Sequence, residues 1–348
     1  MMTETHLSIC MATFRRGAFI AETLDSILPQ LRPGIELVIV DGASPDNTAE
    51  VVQPYLRDWP QLRYYREAEN SGVDADYDKA VGYAQGRYVW LMTDDDLLKP
   101  NAVDRVLELL LAEDPDLLVI DAEVLDVHCA QPLQARRFGF AGLRRYGAAD
   151  RDQLIADSGD PLSFIGGTII RRQLWMERDR HSYYGSLFIH VGVIFQSPIS
   201  NVLLLGEPLI QIRFGNAMWT ARNFEIWMFM WPELIWSFPG FSEEAKARVT
   251  AAEPWRIPRK MLGFRANGSY GLAEYRRFFA RRPVGIWRLA LLAFALTPGR
   301  VANLIAMLLL LMMRGRYRPA CYALAWNSKF SISLSRRLAA VSLRRHPS

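Results

Sequence analysis

The first third of the chain alternates short apolar runs with segments in which apolar residues recur at helical spacing. Unbroken apolar runs of about four to eight residues are typical of buried strands, whereas recurrence every three or four residues is typical of helices. Strands separated by such helices predict a mostly parallel sheet with right-handed crossovers. The predicted strands are Leu7–Thr13, Glu36–Asp41, Leu62–Tyr65 and Tyr88–Met92, and the predicted helices are Phe19–Leu31, Asp46 or Thr48 to Arg57, and Asp74–Ala84.

The middle of the chain continues this pattern around a less regular segment. Asp116–Asp126, Phe164–Arg171 and Leu203–Phe214 have the apolar content of strands, and Tyr183–Phe195 is expected to connect the last two. Gln131–Asp160 is polar, rich in arginine and poorly periodic, so we expect a loop or an insertion there. The predicted fold class is α/β, with a Rossmann-like, mostly parallel sheet flanked by helices.

Polar residues follow three of the predicted strands directly. Thr13 to Arg15 follow the first strand, Asp41 to Ser44 follow the second, and Thr93 to Asp96 follow the fourth. Parallel strands bring their carboxyl ends to one edge of a sheet, and ligands bind beyond that edge. The three polar turns are therefore expected to form one crevice.

Asp94, Asp95 and Asp96 are the most distinctive group in this crevice. Three adjacent carboxylates repel one another unless a cation offsets their charge. Carboxylate oxygens are ligands of hard divalent cations. A single aspartate there would be better explained as an acid at the N-terminus of the next helix, but three beside two other polar turns favour a metal. The sequence therefore predicts a metal site at Asp94, Asp95 and Asp96.

Composition and charge bound the classes of protein to consider. The 348 residues are 50% apolar, which is enough for one large domain and a substantial appendage. Cys10, Cys129 and Cys321 form no C-x-x-C pair, so neither a disulfide framework nor a zinc knuckle is predicted. Met1–Thr5 has no basic start and no apolar signal core, so we expect the protein to face the cytosol.

The net charge of +4 conceals a strong division along the chain. From Pro254 onward there are 18 Arg and Lys against one acid, Glu274, while the remainder has 23 basic against 36 acidic residues. This basic part also contains the apolar runs Leu289–Leu296 and Val301–Met313. Arginines around such runs favour an anionic membrane surface over nucleic acid. Neither run reaches the roughly 20 residues of a transmembrane helix, so a hairpin lying in one leaflet is predicted; a helical subdomain or an oligomer interface is the alternative.

An aromatic stripe precedes the basic part of the chain. Such a stripe is usually buried core, but beside an apolar basic tail it can also form a belt at the membrane boundary. The domain prediction is a catalytic region at 1–215, divided near 125 into two parts, and a helical membrane-associating region at 216–348. The stripe consists of Trp219, Phe224, Trp227, Phe229, Trp231, Trp236 and Phe238.

Several motifs together resemble a known family. The segments ATFRRGAFIAETLDSILPQ, ELVIVDGASPDNT and NSGVDADYDKAVGYAQGRYVWLMTDDDLLKP occur in the order found in the N-terminal half of family-two glycosyltransferases, which have the GT-A fold. Within that family the chain is most similar to abequosyltransferase-like enzymes, which build bacterial O-antigen on a lipid carrier. The resemblance covers about residues 6–125 densely and 160–215 weakly.

The resemblance implies a role for particular residues. Asp94, Asp95 and Asp96 would bind Mn²⁺ or Mg²⁺, with Asp95 counted as catalytic. Two positions depart from the family pattern: Gly42 stands where a second Asp often occurs, and Thr93 replaces the first acid of the common D-x-D-D form. The implied nucleotide-binding set is Thr13, Arg15, Asp41, Gly72, Asp74, Lys79 and Asp94.

The catalytic base is expected in the run from Tyr184 to Gly192, where the family usually has an acid. His190 is the residue of this run whose side chain has a suitable intrinsic pKa. Its apolar neighbours equally allow a core histidine with a satisfied hydrogen bond. Asp179 and His181 lie slightly upstream as further candidates.

The resulting expectation is a metal-dependent inverting glycosyltransferase. It would move a sugar from a nucleoside diphosphate to a hydroxyl of a lipid-linked oligosaccharide or polysaccharide precursor, at the cytoplasmic face of the inner membrane, as a peripheral or monotopic protein and possibly a homo-oligomer. A nucleotidylyltransferase is the alternative enzyme class, but the turn ATFRRGAF lacks its glycine- and lysine-rich loop. A nonenzymatic membrane-associated scaffold with the same fold is the third hypothesis. Walker, dinucleotide-binding and nucleophile-elbow motifs do not occur in the sequence.

Overall fold

The computed structural model describes residues 5–216, 221–313 and 317–344. Its strands join into one sheet of 10 strands. Each sequence-predicted strand is confirmed in position, apart from shifts at the ends. The strands are β1 (Leu7–Thr13), β2 (Ile35–Asp41), β3 (Leu62–Arg66), β4 (Tyr88–Met92), β5 (Leu97–Leu98), β6 (Leu117–Leu125), β7 (Pro132–Gln134), β8 (Gly142–Tyr146), β9 (Thr168–Arg171) and β10 (Val202–Arg213).

Helices connect these strands and make up most of the C-terminal part. Those that follow the early strands are α1 (Ile20–Ile27), α2 (Thr48–Asp58), α3 (Val73–Tyr83), α4 (Ala102–Glu113), α5 (Arg151–Ser158), α6 (Arg172–Glu177) and α7 (Ile189–Phe195). The later ones are α8 (Asn223–Glu225), α9 (Trp231–Ser237), α10 (Glu243–Val249), α11 (Pro258–Asn267), α12 (Leu272–Phe278), α13 (Trp287–Leu296), α14 (Gly299–Met312), α15 (Arg318–Tyr322) and α16 (Ser333–Arg344). Two π-helical turns, Ile226–Met230 and Ala323–Asn327, continue α8 and α15.

The sheet has a parallel half and an antiparallel half. Its order is β3-β2-β1-β4-β9-β6-β10-β5, with β7 on β6 and β8 on β10. The pairs β3-β2, β2-β1 and β1-β4 are parallel, as predicted. By contrast, β9 pairs antiparallel with both β4 and β6. The sheet as a whole is therefore mixed. The parallel arrangement predicted from the sequence periodicity holds for β1 to β4.

Burial on both faces explains why the early strands are continuous apolar runs. Leu7, Ile9 and Met11 of β1 belong to a core cluster that also includes apolar residues of α1, α2 and α4. On the other face, Cys10 Sγ lies 3.6 Å from the Ala80 carbonyl oxygen of α3. A strand covered by helices on both faces has no polar side, which is typical of parallel sheets.

The segment Gln131–Asp160 is more ordered than its sequence predicts. It contains β7, β8 and α5. Strand β8 is mostly exposed and pairs antiparallel with β10, with Tyr146 opposite Val202. No alternation of apolar and polar residues marks β8 in the sequence, because an edge strand that pairs with a distant strand needs few apolar residues. Phe164–Gly167, predicted as strand, instead contains the 3₁₀ turn Ile165–Gly167.

The described chain divides into two compact units. The first consists of residues up to Glu123, Arg136–Ile212 and Phe238–Val249; the second consists of Val124–Ala135, Arg213–Ser237 and the residues from Thr250 onward. The chain thus passes between units more often than one boundary at 215 implies, because β6 and β10 each continue into the second unit.

The second unit has an aromatic core and an apolar helix pair. Phe224, Phe229 and Trp231 are buried, which supports the core interpretation of the stripe; Trp219 lies outside the described residues. Within the described ranges, no single helix is long and apolar enough to cross a membrane. Helices α13 and α14 meet the length and composition test only together, with a bend of 104° between them.

Candidate active site

The carboxyl ends of β1, β2 and β4 lie side by side at one edge of the sheet. Thr13 of β1 lies opposite Asp41 of β2, and Met11 of β1 lies opposite Met92 of β4. The turns that follow these strands therefore begin at the same level, and the predicted meeting of the three polar turns is confirmed.

Backbone hydrogen bonds hold the turn after β1 against the turn after β2. The Arg15 N–H donates to Ser44 Oγ at 3.0 Å, and the Arg16 N–H donates to Thr48 Oγ1 at 3.0 Å. Arg15 has a φ of +58°, in the left-handed region that is uncommon for residues other than glycine. This sharp turn sends the two arginine side chains in different directions, with Arg15 exposed and Arg16 largely buried.

The guanidinium of Arg16 lies between two carboxylates of the aspartate group. Its Nε is 3.2 Å from Asp94 Oδ1, and its Nη2 is 3.0 Å from Asp95 Oδ2. All three side chains are only 11–12% exposed, so these charges depend on one another rather than on solvent. The positive charge that offsets the aspartates here belongs to Arg16. The sequence analysis named Arg15 for the nucleotide pocket, a role that stays a prediction, and did not single out Arg16, because only the turn geometry shows which arginine reaches the aspartates.

The environment of Asp94 is unusual for a carboxylate. Burial raises its pKa to about 7, and repulsion by Asp95 acts in the same direction. Arg16 and the Thr13 hydroxyl oppose this shift. A carboxylate in such surroundings gains much from a nearby positive charge.

Asp96 faces a different set of groups. Its Oδ2 accepts a hydrogen bond from Thr93 Oγ1 at 2.5 Å. Tyr77 of α3 closes the group from below, since its hydroxyl donates to the Met92 carbonyl oxygen at 3.0 Å. Burial raises the pKa of Tyr77, and the three aspartates raise it further. The phenol therefore stays a neutral hydrogen-bond donor.

A divalent cation fits the chemistry of Asp94 and Asp95. Such cations take one or two carboxylates together with phosphate and water oxygens. Among the residues that the structure describes, no group of three His, Cys, Asp or Glu side chains has the arrangement of a metal site. The set of Asp94, Asp95 and Asp96 therefore stays a prediction, and the donors that fit best are the two that Arg16 contacts.

Asp41 is buried at the end of β2 with both carboxylate oxygens hydrogen-bonded. Oδ1 accepts from the Ser44 N–H at 2.7 Å, and Oδ2 accepts from the Tyr64 hydroxyl. Arg66, which lies opposite Asp41 on β3, donates to the Ser44 carbonyl oxygen at 2.9 Å. Strand β3 thus contributes Tyr64 and Arg66 to this wall. Their spacing of two residues on one strand face was the available signal, and it was missed.

Asp76 of α3 fills the space beside Gly42. A Cβ at position 42 would lie 2.5 Å from Asp76 Oδ2, which is closer than real contacts allow. Asp76 is buried, and its Oδ1 accepts from Ser71 Oγ at 2.6 Å. A carboxylate is therefore present next to this turn although the second acid of the family pattern is missing from β2.

The N-terminus of α3 contains two of the sequence-predicted residues. Gly72 has a φ of +90°, and no atom lies within 4 Å of where its Cβ would be, so the backbone is open to close approach. Asp74 accepts hydrogen bonds from the Leu187 N–H at 2.8 Å and the Ile189 N–H at 3.1 Å. Asp74 thus anchors the segment that leads into α7. Its contact with a nucleotide stays a prediction.

Lys79 lies one turn further along α3 and is already paired. Its Nζ is 2.6 Å from Glu67 Oε2 and donates to Ser71 Oγ at 3.0 Å. The hydrogen bond to Glu67 is the main reason that its pKa is raised. A role toward phosphate stays a prediction and requires the amine to leave Glu67.

His190 is fully inside the first unit, with 1% of its surface exposed. Its Nε2 lies 2.7 Å from the Leu162 carbonyl oxygen, which can only accept, so Nε2 carries the proton. Nδ1 is buried and has no hydrogen-bond partner among the described residues. Burial lowers the pKa to about 4, against the effect of the Leu162 hydrogen bond. Base duty stays a prediction, and these contacts are those of a neutral imidazole.

Arg137 brings the irregular segment to the same region. Its backbone N–H donates to Asp121 Oδ1 at 2.7 Å, and its guanidinium donates to the carbonyl oxygens of Pro161 and Asp160 at 2.8 and 2.9 Å. Burial lowers its pKa, while Asp160, Asp121 and Asp96 oppose the shift. A partly buried guanidinium that Asp96 influences therefore lies in this segment, which no sequence pattern indicated.

Residues 8–172 match the family described as Glycosyl transferase family 2, and this segment contains the three turns and the aspartates. Over these residues the chain is similar to glycosyl transferase family 2. The family assignment made from the sequence motifs is thus confirmed.

Curated family-two relatives match part of the chain. The abequosyltransferase RfbV of Salmonella typhimurium is 25% identical over 227 residues, which is 60% of this chain and 67% of that protein. The putative teichuronic acid biosynthesis glycosyltransferase TuaG of Bacillus subtilis is 31% identical over 105 residues, 30% of this chain and 42% of TuaG. The chain therefore spans less than half of TuaG and about two thirds of RfbV.

Solved structures agree in fold. TarS 1–349 of S. aureus in complex with UDP has a TM-score of 0.55 at 15% identity, covering 92% of this chain and 89% of that one. The mannosyltransferase PcManGT of Pyrobaculum calidifontis, in complex with GDP-Man and Mn²⁺, has a TM-score of 0.54 at 16% identity, covering 97% and 86%. The fold is GT-A, as the resemblance implied.

Proposed function

We propose that the protein is a glycosyltransferase that moves a sugar from a nucleoside diphosphate to a hydroxyl acceptor. The observation that carries the proposal is the buried group of Asp94 and Asp95 with Arg16, at the carboxyl edge where β1, β2 and β4 end. That edge binds ligands in sheets of this kind. A diphosphate leaving group requires positive charge close by. The carboxylates of Asp94 and Asp95 can hold that positive charge.

The nucleotide would lie across the turns after β1 and β2. Asp41 and Tyr64 offer hydrogen-bonding groups for base or ribose, and Gly72 leaves its backbone open to a ligand. Complexes of TarS with UDP and of PcManGT with GDP-Man support a nucleotide or a nucleotide sugar as the ligand. The identity of the nucleotide base is left open, because Asp76 beside Gly42 makes the turn after β2 different from the family pattern.

Asp94 and Asp95 would hold a divalent cation, Mn²⁺ or Mg²⁺. The presence of Mn²⁺ in the PcManGT complex supports this assignment. The cation would neutralise charge on the departing diphosphate. For an inverting transfer, a base must accept the acceptor proton; the unprotonated Nδ1 of His190 is the atom proposed for this.

The acceptor would be a lipid-linked glycan at the cytoplasmic face of the inner membrane. Support comes from the apolar surface of α13 and α14 and of the residues just before them. Ile286 is 90% exposed and Leu289 is 76% exposed, with Arg288 and Arg300 exposed nearby. Apolar side chains flanked by arginines match the acyl boundary and the anionic headgroups.

Calorimetric titration with UDP, GDP, CDP and dTDP, each with and without Mn²⁺, tests the proposal. We expect one nucleotide to bind, and its affinity to rise at least about tenfold with Mn²⁺ because the cation joins carboxylates to diphosphate. Asp95→Asn should lose this metal-dependent increase and the transfer activity while its melting temperature stays close to that of the wild type. If no nucleotide binds under any condition, the scaffold hypothesis is favoured. Full transfer by Asp95→Asn contradicts the metal assignment.

A further inference from the structure

Arg16 and the proposed divalent cation would use the same two carboxylates. The Arg16 guanidinium is within 3.2 Å of Asp94 Oδ1 and within 3.0 Å of Asp95 Oδ2. These are the carboxylates assigned to the cation under the proposed function, on which this inference rests. Two positive groups cannot share two buried carboxylates at such distances without strong repulsion.

The backbone of Arg16 is held independently of its guanidinium. Its backbone N–H is held by Thr48 Oγ1 at 3.0 Å, independently of the guanidinium. The guanidinium carbon is also 5.9 Å from the centroid of the Phe19 ring, which gives the side chain a cation–π contact in addition to the carboxylates. A diphosphate at this edge would give the released guanidinium a second anionic partner, because arginine binds phosphate oxygens in a bidentate manner.

We infer that Arg16 is a positioning residue that holds the metal carboxylates until the nucleotide arrives, so that the cation binds with or after the diphosphate and not before it. The Arg16–Asp94–Asp95 contact competes with the cation for ligands. The incoming diphosphate removes this competition, since it offers phosphate oxygens to both the guanidinium and the cation. Binding of nucleotide and metal is thereby coupled.

Manganese binding measured by the EPR signal of free Mn²⁺ tests this coupling without using activity. In the absence of nucleotide, Arg16→Gln should bind Mn²⁺ at least about tenfold more tightly than the wild type, which is the factor expected if the ion pair is formed in about nine-tenths of the molecules. With saturating UDP or GDP, whichever binds, the difference should fall below about threefold. Arg16→Lys keeps one charge without the fork geometry and should lie between the two.

Arg32→Gln is the matched control, because Arg32 forms an exposed pair with Asp104. It should bind Mn²⁺ as the wild type does. Equal Mn²⁺ affinity of the wild type and Arg16→Gln without nucleotide, while both bind Mn²⁺ with it, overturns the inference and leaves the proposed function intact. Absence of Mn²⁺ binding by the folded wild type even with nucleotide overturns the metal assignment and this inference with it.

Discussion

At the scale of single residues, burial decides which chemistry each side chain can perform. Asp94 and His190 are both buried, yet burial acts on them in opposite directions: it raises the pKa of the carboxyl to about 7 and lowers that of the imidazole to about 4. In both cases burial disfavours the charged form. Arg16 relieves this for Asp94, whereas His190 contacts only the neutral Leu162 carbonyl within the part of the chain that the structure describes. His190 is therefore neutral at physiological pH.

The lowered pKa of His190 predicts a loss of stability in acid. The unfolded chain has the ordinary histidine pKa of 6.5 and binds more protons than the folded chain between pH 6.5 and 4, so stability falls as pH falls through that window. Between pH 7 and pH 5 this contribution is about 2 kcal/mol. His190→Gln, whose amide can still donate to Leu162, should lack it. Urea unfolding at the two pH values measures the difference; the exposed His181→Gln is the control, and parallel losses for wild type and His190→Gln refute the assignment.

At the scale of elements, α3 links the nucleotide side of the site to α7. Asp74 near its N-terminus binds the backbone at Leu187 and Ile189, and Leu187 has a φ of +69°. A loop in that conformation needs outside support, since positive φ is unfavourable for a branched side chain. The carboxylate of Asp74 thus fixes the backbone at the start of α7, the helix that contains His190.

Asp74→Ala is expected to release this segment. Two backbone N–H groups would lose their acceptor, at a cost of about 2–4 kcal/mol in unfolding free energy. Hydrogen exchange at Leu187 and Ile189 should accelerate more than exchange in β1. Asp104→Ala, which removes an exposed pair with Arg32, should cost less than about 1 kcal/mol. If Asp74→Ala instead weakens nucleotide binding while leaving the exchange unchanged, Asp74 is a nucleotide ligand and not an anchor.

At the scale of the whole molecule, charge and apolar surface separate along the chain. The acidic site is built in the first unit, whereas the basic residues from Pro254 onward and the apolar helices α13 and α14 belong to the second. Helix packing inside the second unit buries Leu291, Ala302 and Met307 but leaves the opposite faces exposed. An exposed apolar face flanked by arginines would suit contact with an anionic membrane surface.

Substitution of this face should release the protein from anionic vesicles. Leu289→Glu with Leu308→Glu removes two side chains that are 76% and 47% exposed. At about 1.5–3 kcal/mol for each buried leucine, partitioning onto phosphatidylglycerol vesicles should fall at least about hundredfold in a sedimentation assay. Leu111→Glu, at a position 71% exposed on α4, is the matched control and should bind as the wild type does. If the wild type does not bind vesicles but self-associates, and the double variant does not self-associate, this face is an oligomer interface.

Local pattern was sufficient for the parallel half of the sheet. Strands β1, β2 and β4 are apolar runs buried on both faces, and their ends fall where polar residues begin. The carboxyl-edge position of Thr13, Asp41 and the aspartates follows from that alone. Strand β8 was not predictable in this way, because its partner β10 is remote in sequence and its own residues are mostly exposed.

The sequence by itself determined the family, the α/β order of elements and the residue types at the sheet edge, since these depend on periodicity and on motifs that are local in the chain. Only the tertiary structure decided which side chains meet. Arg16, not Arg15, reaches Asp94 and Asp95 because the turn has a positive φ at Arg15. Asp76 takes the space beside Gly42 because α3 packs there. Such contacts depend on backbone direction and on neighbours distant in sequence, which no spacing along the chain encodes.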